Sequence, residues 1–204
     1  MSKIAIIGAT GRAGSQLLEE ALRRGHTVTA IARNTDKIGA RPGVTVKQAD
    51  ALDADALQQA VSGNDVVISA AHFATLPASA VIGPVKNAGV KRLLVVGGAG
   101  SLLLPDGNRV IDSPGFPDEY KAEASAGSDF LETLRQEKEL DWSFLSPSAE
   151  FVEAERTGTF RLGQEHLLAN SEGRSWISFA DYAIVLIDEV ESPKHSRQRF
   201  TVGY

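Results

Sequence analysis

The sequence predicts an α/β fold, a doubly wound and mostly parallel sheet with helices on both faces, and three observations carry that prediction. Strand-like apolar runs alternate with helical stripes along most of the chain. Those runs are rich in β-branched residues and nearly continuous in apolarity, as in parallel sheets covered on both faces. The first of them leads directly into a glycine turn and a helix start.

In order along the chain, Ile4-Ala5-Ile6-Ile7 is the first strand and Gly8-Ala9-Thr10-Gly11-Arg12-Ala13-Gly14 the turn. Gln16, Leu17, Leu18, Ala21 and Leu22 then make a helical stripe that Gly25 ends, and Val28-Thr29-Ala30-Ile31-Ala32 completes a βαβ unit. Val44 to Gln48 is the third strand, and Asp53 or Asp55 opens a short helix that closes near Gly63. Asp65 to Ala70 is the fourth strand. A helix with Val81, Ile82, Val85 and Ala88 inward runs to Gly89, and Arg92 to Val96 is the fifth strand. Gly97-Gly98-Ala99-Gly100-Ser101 begins a long Gly- and Pro-rich loop ending near Pro117, and loops of that length inside a domain are often functional. A helix from Asp118 carries Phe130, Leu131 and Leu134. Trp142 to Leu145 is the sixth strand, and Ser146-Pro147-Ser148 leaves from the same edge. Ser178-Phe179-Ala180-Asp181 resembles a capping box opening a helix with Ala183, Leu186, Ile187 and Val190 on one face, and Arg199 to Val202 is a last strand.

Composition narrows the function classes. The 204 residues are 43% hydrophobic, and the 19 glycines are spread along the chain, so one domain is expected. Lys and Arg total 21 against 26 Asp and Glu, a net charge of −5, with no basic block interleaved with aromatics; this argues against a nucleic-acid partner. Without cysteine there are no disulfides, thiolate metal sites or Cys nucleophiles. The N-terminal apolar run is too short for a membrane span or signal peptide, so no membrane association and a cytoplasmic location are expected.

The glycine turn points to the ligand. At a strand–turn–helix junction, glycines let the backbone approach a pyrophosphate, and unpaired N–H groups and the helix dipole favour its charge. The spacing is Gly-x-x-Gly-x-x-Gly, and the surrounding βαβ unit is what makes a dinucleotide the expected occupant. Arg33, at the end of the second strand, stands where NAD-preferring folds place an acid against the ribose 2′-hydroxyl. A cation there suits a 2′-phosphate, and Arg12 in the turn is a second candidate for the same phosphate. NADP(H) is therefore the preferred cofactor, with NAD(H) as the alternative.

The chain as a whole resembles the atypical short-chain dehydrogenase/reductases, in particular the NADH-flavin reductase group, akin to biliverdin-IX-beta reductases. The residues carrying the resemblance are the Gly8–Gly14 turn, Gly97-Gly98-Ala99-Gly100-Ser101, Pro117-Asp118-Glu119-Tyr120-Lys121, Ser146-Pro147 and Arg197-Gln198-Arg199-Phe200-Thr201-Val202-Gly203-Tyr204. The resemblance implies an NAD(P)-binding Rossmann fold holding NADP(H) along Gly8, Thr10, Gly11, Arg12, Ala13, Gly14 and Arg33. It places Asp50 and Ala51 near the adenine, and Ala70, Ala71 and His72 near the ribose and pyrophosphate. Gly97, Gly98 and Ala99 belong to the same cofactor site, and Ser101 and Pro147 flank the nicotinamide. Residues 1–146 form the core, and residues 147–204 a small substrate-side portion of the same domain.

The wider family uses Tyr-x-x-x-Lys, in which Tyr exchanges a proton with the alcohol or carbonyl oxygen. This chain lacks it: Tyr120 is followed four residues on by Ala124, Tyr182 by Leu186, and Tyr204 is last. A flavin accepts hydride at a ring nitrogen with no alkoxide to quench, so positioning supplies most of the catalysis. The expected function is an NADPH-dependent oxidoreductase passing hydride to a small planar acceptor, most readily a flavin (FMN, FAD or riboflavin) taken as substrate. The alternative is an NADP(H)-binding sensor or regulatory protein without turnover. Nucleotide-sugar epimerase or dehydratase chemistry ranks below both, because such enzymes add a large C-terminal substrate domain. Ser101 and His72 are the catalytic candidates, with glycine-run packing and an idle loop histidine as their bland readings. His26 serves the turn after Gly25, and His166 and His195 read as peripheral. No histidine has a metal-ligand partner at helical spacing, and Glu150, Glu153 and Glu155 read as a solvated loop face. No heptad or exposed apolar helix selects an oligomeric state.

Arg33→Glu replaces a charge-assisted phosphate contact worth about 1.5 to 3 kcal/mol with repulsion. Titrations should show NADPH weakened much more than NADH; equal weakening would remove Arg33 from the 2′-phosphate.

Overall fold

The aliphatic and β-branched runs become strands and the amphipathic stretches helices, as a computed structural model of residues 1–204 shows. The chain runs β1 (Lys3–Ile7), α1 (Arg12–Arg23), β2 (Thr27–Ala32), β3 (Val44–Gln48), α2 (Ala54–Val61), β4 (Val66–Ser69), α3 (Ala78–Asn87) and β5 (Arg92–Val96). It continues through α4 (Asp118–Gln136), β6 (Asp141–Ser146), β7 (Glu150–Val152), β8 (Arg161–Gly163), β9 (Trp176–Ser178), α5 (Phe179–Glu191) and β10 (Gln198–Gly203). No helix is long and apolar enough to cross a membrane.

Eight strands form the main sheet in the order β3-β2-β1-β4-β5-β6-β10-β8, parallel except where β8 runs antiparallel to β10. Side chains alternate between its faces. Ile4, Ile6, Ala30, Ile68 and Leu94 pack with α1 and α5, while Ala5, Ile7, Val67, Leu93 and Val95 pack with α2, α3 and α4. This is the expected doubly wound architecture. Leu17, Leu18 and Ala21 bury the predicted stripe of α1, and Asp53 caps α2 by accepting from the N–H groups of Asp55 and Ala56 at 3.1 and 3.0 Å. In α3 the buried set is Ala78, Val81, Pro84 and Val85, and Ile82 and Ala88, half-buried, pack against the same core as expected.

Residues 147–204 depart most from the sequence reading. Three short strands arise where none is expected: β7 and β9 pair as a separate two-stranded parallel sheet, and β8 extends the main sheet. Three-residue strands carry too little periodicity to be read locally. Glu150 therefore sits on a strand, exposed and paired with Arg174 at 2.6 Å. His195 is not peripheral: its ring stacks on Phe200, and its Nδ1 lies 2.8 Å from the buried Glu189, which also pairs with Arg92 at 2.7 Å. His26 is buried, accepting from the Ser2 N–H at 3.0 Å and meeting Glu191 on α5.

Only half of the expected capping box forms. Ser178 accepts from the Asp181 N–H at 2.9 Å, but the buried Asp181 carboxylate is taken by a segment between β7 and β8. It accepts from the N–H groups of Thr157 and Gly158, the Thr157 hydroxyl and the Tyr204 hydroxyl, at 2.5 to 3.1 Å. Burial pushes this carboxyl up, and the bonds from Thr157, Tyr204 and Gly158 outweigh it, leaving it below the ordinary aspartate value.

Because the folded value is depressed, the Asp181 contribution is complete above about pH 4 and is lost as the pH falls below it. Asp181→Asn should destabilise by about 1.5–3 kcal/mol at neutral pH, the size of a hydrogen bond to a charged group. Its Tm should also fall less steeply than that of the wild type below about pH 4. Parallel thermal-denaturation curves would show that the carboxylate charge contributes nothing.

Candidate dinucleotide site

The strand order reverses between β1 and β4, and ligands of open α/β sheets sit at such a switch point, outside the carboxyl ends of the strands. There the two loops meet backbone to backbone. Gly8 has φ of 81°, and a Cβ on it would lie 2.9 Å from the Ala70 carbonyl oxygen, so no other residue fits without displacing the loop after β4. A Cβ on Gly14 would overlap the Gly8 carbonyl oxygen, which is how close α1 comes to the turn. The N–H groups of Gly8 and Ala9 donate to Ile31 O at 2.9 and 3.2 Å, tying the turn to β2.

Past that anchor the turn is open. The N–H groups of Thr10, Arg12, Ala13 and Gly14 have no acceptor in the protein, Gly11 at the N-cap offers no side chain, and the first turn of α1 holds no acid. This is a concentrated positive end with unused donors, which fits a pyrophosphate. Arg12 is exposed and forms no ion pair; its guanidinium lies over the Phe179 ring at the start of α5, 5.4 Å from the centroid. Arg33 at the end of β2 is exposed and equally unpaired, while its carbonyl accepts from Gln48 Nε2 at 2.9 Å. In a chain of net charge −5, two uncompensated arginines flanking one glycine turn are a local exception.

The remaining predicted residues line the same edge. Asp50 is exposed after β3, its carboxylate accepting from the Leu52 N–H at 3.0 Å, and Ala51 is half-buried. Ala70 and Ala71 are half-buried after β4, and the Ala70 N–H continues the pairing with β1 by donating to Ile7 O. His72 follows, its side chain 80% exposed. Gly97 leaves β5 buried, with Gly98 and Ala99 half-buried beyond it, and Pro147 is buried directly after β6.

Ser101 is placed differently from the others. Its hydroxyl and its carbonyl accept from Arg199 at 3.3 and 3.4 Å. Arg199 is 1% exposed and is ion-paired with Glu165. Together with Asp129, Glu132 and Arg135 these residues line a cavity of about 270 Å³ between the long loop and α4. The hydroxyl is thus engaged by a buried arginine.

Two positioning residues escape sequence reasoning. Tyr182 is wholly buried on α5; its hydroxyl donates to Leu145 O at 2.6 Å and accepts from the Gly97 N–H at 3.3 Å, joining the ends of β5 and β6. Burial raises its phenol well above the ordinary value, so it stays neutral. Glu123, one turn and a half into α4, accepts from the N–H groups of Phe73 and Ala74 at 2.8 and 2.9 Å and lies 3.4 Å from His72 Nδ1. A buried tyrosine and a surface helical glutamate look ordinary in sequence; only their distant partners set them apart.

Residues 8–193 match the sequence profile of a family described as NAD(P)H-binding. The chain is similar to the uncharacterised protein YwnB of Bacillus subtilis (strain 168), 41% identical over 98% of this chain and 97% of the relative. Among solved structures it is similar to a protein of Bacteroides thetaiotaomicron provisionally named an epimerase, 43% identical with a TM-score of 0.94, covering 99% of this chain and 96% of the other. It is also similar to a Streptococcus pneumoniae TIGR4 protein provisionally named an NADH-flavin reductase. That pair is 37% identical with a TM-score of 0.86, covering 100% and 99%.

Gly14→Ala should force α1 off the turn. Fluorescence titration is expected to show NADPH and NADH weakened alike, tenfold or more, alongside a lower Tm. Unaltered binding of both would mean that the open N–H groups are not the pyrophosphate site.

Proposed function

The chain belongs to the NAD(P)H-binding family, and we propose that it is an NADPH-dependent reductase that transfers hydride to a small planar acceptor, a flavin such as FMN, FAD or riboflavin. The observation that carries the reading is the open start of α1, four backbone N–H groups without acceptors beside two unpaired arginines. The nicotinamide supplies the hydride. The backbone from Gly8 to Gly14 holds the diphosphate, with Arg12 beside it, and Arg33 takes the 2′-phosphate. Asp50 and Ala51 border the adenine, and Ala70 and Ala71 the ribose side. Gly97, Gly98, Ala99 and Pro147 flank the reacting ring.

His72 and Ser101 serve the reacting end. Since its hydroxyl is bonded to Arg199, Ser101 acts as a positioning residue that holds the loop leaving β5. No tyrosine is free for carbonyl reduction or for acid–base work at a sugar carbon: Tyr182 is sealed between strand ends, Tyr204 is bonded to Asp181 and Ser178, and Tyr120 is exposed with no lysine one turn on. That favours an acceptor whose reduction leaves no alkoxide for a tyrosine to protonate, and the name of the pneumococcal relative supports a flavin. The same observation favours the second reading, an NADP(H) sensor without turnover.

Steady-state oxidation of NADPH and of NADH with FMN, FAD and riboflavin separates the two. Acceptor-dependent turnover favouring NADPH is expected; binding of NADPH with no oxidation would support the sensor. Ser101→Ala should lower turnover while leaving NADPH affinity nearly unchanged, and wild-type turnover would reduce Ser101 to packing.

A further inference from the structure

The loop after β4 is held by the element that follows the long loop after β5. Glu123 of α4 receives two consecutive backbone N–H groups, those of Phe73 and Ala74, one on each carboxylate oxygen. Beneath it Phe73 packs against Phe130 of α4 and Phe144 of β6, with ring centroids 5.2 and 5.9 Å apart. On this loop His72 Nδ1 lies 3.4 Å from the Glu123 Oε1 that accepts the Phe73 N–H, close enough for an ion pair but not in a formed hydrogen bond, and its Nε2 has no partner. Glu123 is the only carboxylate paired with His72, and the exposed Tyr120 stands one helical turn earlier on α4. A carboxylate at one ring nitrogen with the other nitrogen free is the arrangement that orients an imidazole for proton transfer, and catalytic hydrogen bonds are often long before ligands bind.

We propose that His72, oriented by Glu123, delivers the proton to the reduced acceptor, and that the acceptor is of the class whose two-electron reduction leaves negative charge on a ring nitrogen or oxygen. The inference rests on the reductase reading. A dihydronicotinamide gives up a hydride, so the acceptor gains two electrons, one hydrogen and one negative charge. The Nε2–H bond of protonated His72 breaks, its proton neutralises that charge, and the imidazole keeps Nδ1–H against Glu123 until water reprotonates Nε2. His72 is the catalytic residue and Glu123 the positioning residue.

Imidazole ¹⁵N spectra of the nucleotide-free protein at high pH should show His72 as the Nδ1–H tautomer in the wild type. Glu123→Gln should lose that preference and speed amide exchange at Phe73 and Ala74, because Gln offers one acceptor oxygen where two N–H groups need one each. In turnover, His72→Ala should lower kcat about ten- to a hundredfold, with imidazole in the buffer restoring part of it. An Nε2–H tautomer in the wild type, or wild-type kcat in His72→Ala, overturns the proposal. Lost NADPH affinity with kcat retained also overturns it, by making His72 a phosphate ligand. NADPH binding without oxidation by any acceptor in the wild type overturns the reductase reading itself and this inference with it.

Discussion

Three backbone segments meet at the switch point, and their close approach sets the position of α1, of the turn and of the loop after β4. The end of β1, the start of α1 and the end of β4 come so close at Gly8, Gly14 and Ala70 that there is no room for a single added carbon. That contact brings α1 onto the sheet, buries Leu17 and Ala21 completely, and aims the helix N-terminus at the crevice. It also leaves the N–H groups of the first turn without acceptors, a cost that an anion relieves. Packing and binding are therefore consequences of one geometric fact.

The second organising feature is the set of ties that the C-terminal third makes to the sheet. Tyr182 joins β5 to β6 at their carboxyl ends, Arg199 links β10 to the long loop at Ser101, and Arg92 and Glu189 form a buried pair near the opposite ends of β5 and β6. Each group is polar and buried, and removing one partner of such a pair leaves the other unsatisfied, which costs more than the pair contributes. The loops around the candidate reacting end are thus held by long-range bonds. That suits a reaction to which positioning contributes much of the rate.

Charge follows the same logic. Along the outer surface most arginines are matched, Arg24 to Glu20, Asp188 and Glu191, Arg41 to Glu19 and Arg174 to Glu150, while Arg161 and Arg197 donate only to backbone carbonyls. Arg12 and Arg33 remain unmatched beside the open turn, a positive locus on an acidic protein that favours an anionic dinucleotide over neutral ligands.

The β–α alternation and the glycine turn are legible in the residue pattern alone. Val44–Gln48 and Arg92–Val96 match the predicted strands residue for residue, and of the two aspartates expected to open α2 it is Asp53 that caps it. These features are local: apolar period, cap chemistry and turn glycines act within a few residues of one another. The remaining features arise from packing between segments far apart in the chain. Asp181 keeps its helix start but spends its carboxylate on Thr157, Ser101 meets Arg199 across 98 positions, and Glu123 reaches back 50 positions to Phe73. The strands β7, β8 and β9 exist because the fold brings partners alongside three-residue segments too short to declare themselves. Burial makes a polar side chain find its partner wherever the chain has been brought close, and that choice depends on distances in space that no spacing along the chain encodes.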